Sequence, residues 1–93
     1  HKAAFDRNLN IQLAEKLAEI NKYEEAVRAD EEILALRAKI TRSAASQLEN
    51  GVITTTDYLT ELNAETEARI RLETHRIKLV QARINYLTTK GII

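Results

Sequence analysis

Gly51 is the one glycine before residue 91, and the chain contains no proline. A helix in such a chain has one inexpensive place to stop, because glycine enters the left-handed region without a Cβ penalty and proline, the other common terminator, is absent. Asn50 and Gly51 both suit that left-handed stop, and Thr54 follows at once as a start signal with Asp57 three residues on. The sequence therefore predicts an all-α fold, an antiparallel two-helix coiled-coil hairpin. Its parts are a helix from residue 4 to 49, a tip at 50–54, and a returning helix from residue 55 to 90.

Composition agrees with long rods rather than a closed globule. Of the 93 residues, 30% are charged and only 4% aromatic, so a single copy buries little and is expected to self-associate. A net charge of zero supplies no pull toward nucleic acid, and the absence of cysteine removes thiol chemistry. No apolar run reaches membrane-spanning length. Lacking an initiating methionine and a signal peptide, the chain reads as a piece excised from a larger protein, with His1 a residue left by cloning.

Each helix carries two apolar stripes. In the first, Leu9, Leu13, Leu17, Ile20, Val27, Leu34 and Leu48 form one stripe, interrupted by Glu24, Glu31 and Thr41. Ala26, Ala29, Ile33, Leu36, Ile40 and Ala44 form a second beside it. In the returning helix the main seam is expected through Leu59, Leu62, Thr66, Ile70, Glu73, Ile77, Val80, Ile84 and Leu87, with Thr66 and Glu73 as polar interruptions that loosen it. Ala64, Ala68, Leu72, His75, Leu79, Ala82 and Tyr86 flank that seam. Two stripes per helix suit the wide face of a small bundle or a wall in which every helix has two neighbours.

Charge placement favours the fold-back. A reversal at the tip sets Glu24, Glu25, Asp30, Glu31 and Glu32 opposite Arg76, Lys78 and Arg83, and sets Arg37, Lys39 and Arg42 opposite Glu61, Glu65 and Glu67. Exposed pairs contribute only about 0 to 1 kcal/mol each, so they select orientation more than they stabilise. The same side chains also form local pairs within one helix, such as Glu65 with Arg69 and Glu67 with Arg71.

At the tip, Thr54 is expected to cap the second helix with Asp57 at its third position, and Ile53 and Tyr58 are spaced as a hydrophobic staple. The run Gln47-Leu48-Glu49-Asn50-Gly51-Val52-Ile53, followed by Asp57-Tyr58-Leu59 and then Ala64, Ala68, Ala82, Tyr86 and Gly91, resembles the C-terminal helical hairpin of TolC-type outer-membrane efflux channels. The resemblance covers residues 44–91. It implies a homotrimeric channel whose α-helical barrel crosses the periplasm from the outer membrane. Hairpin tips in that family dock onto a periplasmic adaptor protein and, through it, an inner-membrane pump. Carried over residue by residue, Asn50, Gly51, Val52, Ile53 and Thr54 occupy the tip, Asp57, Tyr58 and Leu59 form the first turn after it, and Ala64, Ala68 and Ala82 admit close helix neighbours. The chain departs from the family in having no β-strand segments and no second hairpin, so it forms no conducting channel alone.

Two other readings remain: the helical hairpin of the adaptor itself, and a structural coiled-coil scaffold in which the tip is only a turn. An enzyme is not expected. His75 lacks the Glu-x-x-His spacing of a di-iron bundle and reads as a seam or rim histidine, while Ser43 and Ser46 have no paired His and Asp. No metal, cofactor or nucleic-acid partner is implied, although Arg69, Arg76, Arg83 and Lys90 form a basic line at seven-residue spacing.

Overall fold

A computed structural model describes residues 2–91, with side-chain surroundings from residue 6 onward; His1 lies outside the described residues. Two helices, α1 (Lys2–Glu49) and α2 (Thr55–Lys90), pack antiparallel into a rod of 74 × 17 × 16 Å. The reversal falls at the glycine, as the sequence predicts. α2 closes on Gly91, whose φ of 88° is left-handed and whose N–H donates to the carbonyls of Leu87 and Thr88.

Along α1 the seam follows Leu13, Ile20, Val27, Leu34, Thr41 and Leu48, seven residues apart, with Tyr23, Asp30, Arg37 and Ala44 between them; all are buried or half-buried. Alternate steps of three and four are the signature of a two-stranded coiled coil. Ile20, Leu79 and Ala82 pack with Tyr23, Val27 and Tyr86 in the half away from the tip. Toward the tip the buried residues become small or polar: Thr41, Ala44 and Ala68.

In α2 the structure corrects the expected seam. The buried line is the flanking one, Ala68, Leu72, Leu79 and Ala82 with His75 and Tyr86 half-buried, while Leu59, Ile70, Ile77, Val80 and Ile84 are exposed. Leu72 retains 3% of its surface, whereas Ile70 and Ile77 retain 60% each. In α1, likewise, Leu17 and the Ile33 and Leu36 of the second stripe face outward, and Thr41 lies inside instead of interrupting.

Partner chemistry decides between the two lines. Turning α2 to bury its isoleucines would rotate it by about 150°, carry His75 away from α1 and leave the Asp30 carboxylate buried without a partner. Alanines at 68 and 82 also let the two backbones approach more closely than isoleucines would. The interhelical ion pairs follow the expected blocks: Glu24 with Arg83 (3.5 Å), Glu31 with Arg76 (3.6 Å) and Arg37 with Glu61 (3.9 Å). Of the local pairs, Glu65 with Arg69 forms at 3.1 Å.

Candidate functional site: the hairpin tip

Backbone geometry builds the tip before any side chain does. The Val52 N–H donates to the Gln47 carbonyl (2.8 Å) and the Gly51 N–H to the Leu48 carbonyl (3.1 Å), the paired bonds of a Schellman stop. Gly51 carries the left-handed residue, φ 71°. Asn50 does not share it, since no non-glycine residue among those described has positive φ. One left-handed residue suffices to end α1, so Asn50 keeps the cheaper backbone.

Thr54 restarts the helix from an extended conformation (φ −86°, ψ 165°). Its Oγ1 accepts from the Asp57 N–H at 3.1 Å, and its own N–H donates to Asp57 Oδ2 at 3.1 Å, completing the reciprocal capping box. The Asp57 carboxylate also lies at the positive end of α2, where charge of that sign is favoured. Tyr58 N–H donates to the Thr54 carbonyl at 3.1 Å as the first bond of the new helix.

The eight tip residues divide by direction. Ile53 and Tyr58 are half-buried, at the spacing and burial that a hydrophobic staple uses. Asn50, Gly51, Val52, Thr54, Asp57 and Leu59 are exposed. Val52 stands out with 69% of its surface exposed at the apex. Behind the apex a shallow open groove runs between the helices, lined by Ile40, Ala44 and Gln47 of α1 and by Ile53, Asp57 and Thr60 of the returning limb. The result is a stiff, capped knob with an apolar summit, a shape suited to contact another protein and offering no enclosed pocket for a small molecule.

A second polar feature lies mid-rod, and reading the sequence by charge runs missed it. Asp30, expected with its acidic neighbours opposite Arg76, Lys78 and Arg83, instead keeps only 6% of its surface exposed and pairs with His75 across the seam. His75 Nδ1 faces Asp30 Oδ2 within hydrogen-bond reach, and an N–H on that nitrogen donates to the carboxylate oxygen. The imidazole is tilted against Tyr23, with ring centroids 6.2 Å apart. Nearer the tip, Thr41 Oγ1 bonds the Arg37 carbonyl (3.0 Å) and reaches the Glu61 carbonyl across the seam (3.3 Å). The signal for Asp30 was its position, seven residues from both Tyr23 and Arg37 on the inward line.

Among the described residues no three His, Cys, Asp or Glu side chains gather as a metal site, and no helix is long and apolar enough to cross a membrane. Comparison with protein-family models, with curated proteins and with solved structures finds no match for this chain.

Proposed function

We propose that this hairpin is a segment of the periplasmic α-helical wall of a TolC-type outer-membrane efflux channel. Its tip docks onto a periplasmic adaptor that links the channel to an inner-membrane pump, and the parent protein is a homotrimer. The role is mechanical, with no chemical step assigned to any residue.

One observation carries the reading: the reversal between the two helices of the 74 Å rod is a doubly capped knob that holds Val52 out in solvent. Single exposed apolar residues are ordinary on protein surfaces, but at the summit of a capped turn Val52 offers a docking partner apolar contact area. Further support comes from the resemblance over residues 44–91 and from apolar lines on the outer flanks of both helices, which a lone hairpin leaves unsatisfied.

Binding between the chain and a purified adaptor hairpin tests the proposal by calorimetry. Val52→Asp adds charge at an exposed position and should abolish binding while leaving helicity unchanged; Gly51→Trp should abolish it by straining the turn. Retained binding in both variants would refute tip docking and leave the scaffold reading. Binding to a channel fragment in place of the adaptor would assign the hairpin to the adaptor side.

A further inference from the structure

The residue that stops α1 also sits beside a reactive side chain. The backbone nitrogen after an asparagine is able to attack the side-chain amide carbon and close a succinimide ring, and a Cβ on the attacking residue obstructs the approach. Asn50 precedes Gly51, whereas Asn8, Asn10, Asn21, Asn63 and Asn85 precede leucine, isoleucine, lysine, alanine and tyrosine and lie within the helices. Asn50 is therefore the asparagine with an unobstructed neighbour. Both it and Gly51 are exposed, so water reaches the amide and the leaving ammonia escapes.

The bonds that end α1 also hold this reaction back. The Asn50 N–H donates to the Ser46 carbonyl (3.1 Å), the Gly51 N–H to Leu48 (3.1 Å) and the Val52 N–H to Gln47 (2.8 Å). The nitrogen that must attack thus has its proton engaged. Ring closure also requires ψ of Asn50 to swing out of the turn until the Gly51 nitrogen comes into line with Cβ, which breaks the Gly51 and Val52 bonds. No side chain crowds the glycine to keep the turn shut, since a Cβ built there meets no atom within 4 Å. The lock is the backbone bonds themselves.

We infer that Asn50 is a self-modifying site: its amide converts to acid through transient openings of the Schellman stop, and the conversion then removes the stop. In the first step the Gly51 nitrogen bonds to Asn50 Cγ, the Cγ–Nδ2 bond breaks, and the amide nitrogen leaves as ammonia with the Gly51 proton. Water then opens the ring at one of its two C–N bonds. Opening at Cγ leaves an aspartyl residue at position 50; opening at the main-chain carbonyl leaves an isoaspartyl residue, with one extra methylene in the backbone. Either product sets a carboxylate at the negative end of α1, next to Glu49, where that charge is unfavourable. The extra methylene also displaces the Gly51 and Val52 N–H groups from the Leu48 and Gln47 carbonyls. Opening and conversion thus reinforce each other.

The inference rests on the tip backbone and not on the adaptor reading, and its test needs no partner. The chain is incubated at mildly alkaline pH with and without urea, digested, and followed by peptide mass spectrometry and by labelling with an isoaspartyl-specific methyltransferase. In the folded chain, conversion at Asn50 should exceed that at each other asparagine at least about tenfold, and urea should speed it at least about tenfold again by releasing the lock. In urea, Gly51→Ala should slow it at least about tenfold, because no fold remains there to strain and only the Cβ obstruction acts. Asn50→Gln, which would have to close a larger ring, should keep its helicity and stay unconverted at position 50. The converted fraction, separated by its added negative charge, should exchange the Gly51 and Val52 amides at least about tenfold faster than the unconverted chain. A folded chain that keeps Asn50 intact while the urea-treated chain converts would overturn the inference. Equal rates with and without urea, conversion spread evenly over the asparagines, or unchanged amide exchange in the converted fraction would do the same.

Discussion

Removing His75 should cost more than its partial exposure suggests, because what it leaves behind is the buried Asp30. Asp30 retains 6% of its surface and the His75 side chain 27%, so the pair is open to water on one side only, the histidine side. Breaking a fully buried pair costs about 3 to 5 kcal/mol, and access of water through the vacated histidine position brings the expected loss for His75→Ala down to about 2 kcal/mol. Asp30→Ala should cost less, about 1 kcal/mol, since the imidazole left behind can turn its N–H to solvent. Replacing both by leucine removes the desolvation cost along with the attraction and should leave stability within about 1 kcal/mol of wild type, or raise it. Urea unfolding followed by circular dichroism at one fixed protein concentration measures all three, the concentration being held because association is linked to folding. An alanine double-mutant cycle with coupling below about 0.5 kcal/mol would refute the pair as an energetic unit, as would a leucine double variant less stable than either single alanine variant.

Leu72→Ala, at the most deeply buried large side chain of the seam, should destabilise by about 2 to 3 kcal/mol in the same unfolding assay; a loss under 1 would mean that the seam collapses around the gap. Thr54→Ala removes the side-chain half of the capping box and should cost about 1 kcal/mol, with the effect concentrated in amide exchange of the first turn of α2. Gly51→Ala meets no atom within 4 Å, so its cost, about 1 kcal/mol by thermal unfolding, comes from backbone conformation alone. Glu73→Leu should change the stability of the dilute hairpin by less than about 0.5 kcal/mol, because Glu73 is exposed and pairs with Arg76 of its own helix. A substantial gain in melting temperature for that variant would restore Glu73 to the hairpin seam.

The helices and the turn were legible because each rests on local chemistry: a proline-free chain, one internal glycine, and a threonine three residues before an aspartate. Cross-rod charge blocks were legible for a related reason, since a fold-back at a known residue fixes which positions face each other. The choice of seam in α2 was not. Both of its stripes step by three and four, and hydrophobicity favours the isoleucine line that the structure leaves outside. What reverses the choice is the opposite helix, whose buried Asp30 needs His75 and whose close approach needs Ala68 and Ala82. Neither requirement is visible from α2 alone. For the tip, the caps could be read residue by residue, whereas the outward direction of Val52 and the inward direction of Ile53 depend on how the Schellman turn aims the chain.

The seam that wins is the less apolar of the two, and this bears on what the hairpin is for. A line of three isoleucines, a valine and a leucine left in solvent forgoes apolar burial within the isolated chain and exposes it to association. If apolar burial within one chain were the only requirement, α2 would turn its isoleucines inward and a small polar substitution at 30 would remove the obstacle. Keeping Asp30 and His75 inside instead holds the stickier surface outward, where it is available to a neighbour. The polar layer and the exposed isoleucines are then two parts of one arrangement: the first fixes the rotation of α2 about its axis, and that rotation sets the direction in which the second points. It follows that the Asp30→Leu, His75→Leu variant, although folded, no longer has a chemical reason to keep its isoleucines outside. Its self-association should weaken along with the definition of the seam, and sedimentation of that variant beside the wild type tests the link. Association undiminished in a stably folded double variant would separate the two features.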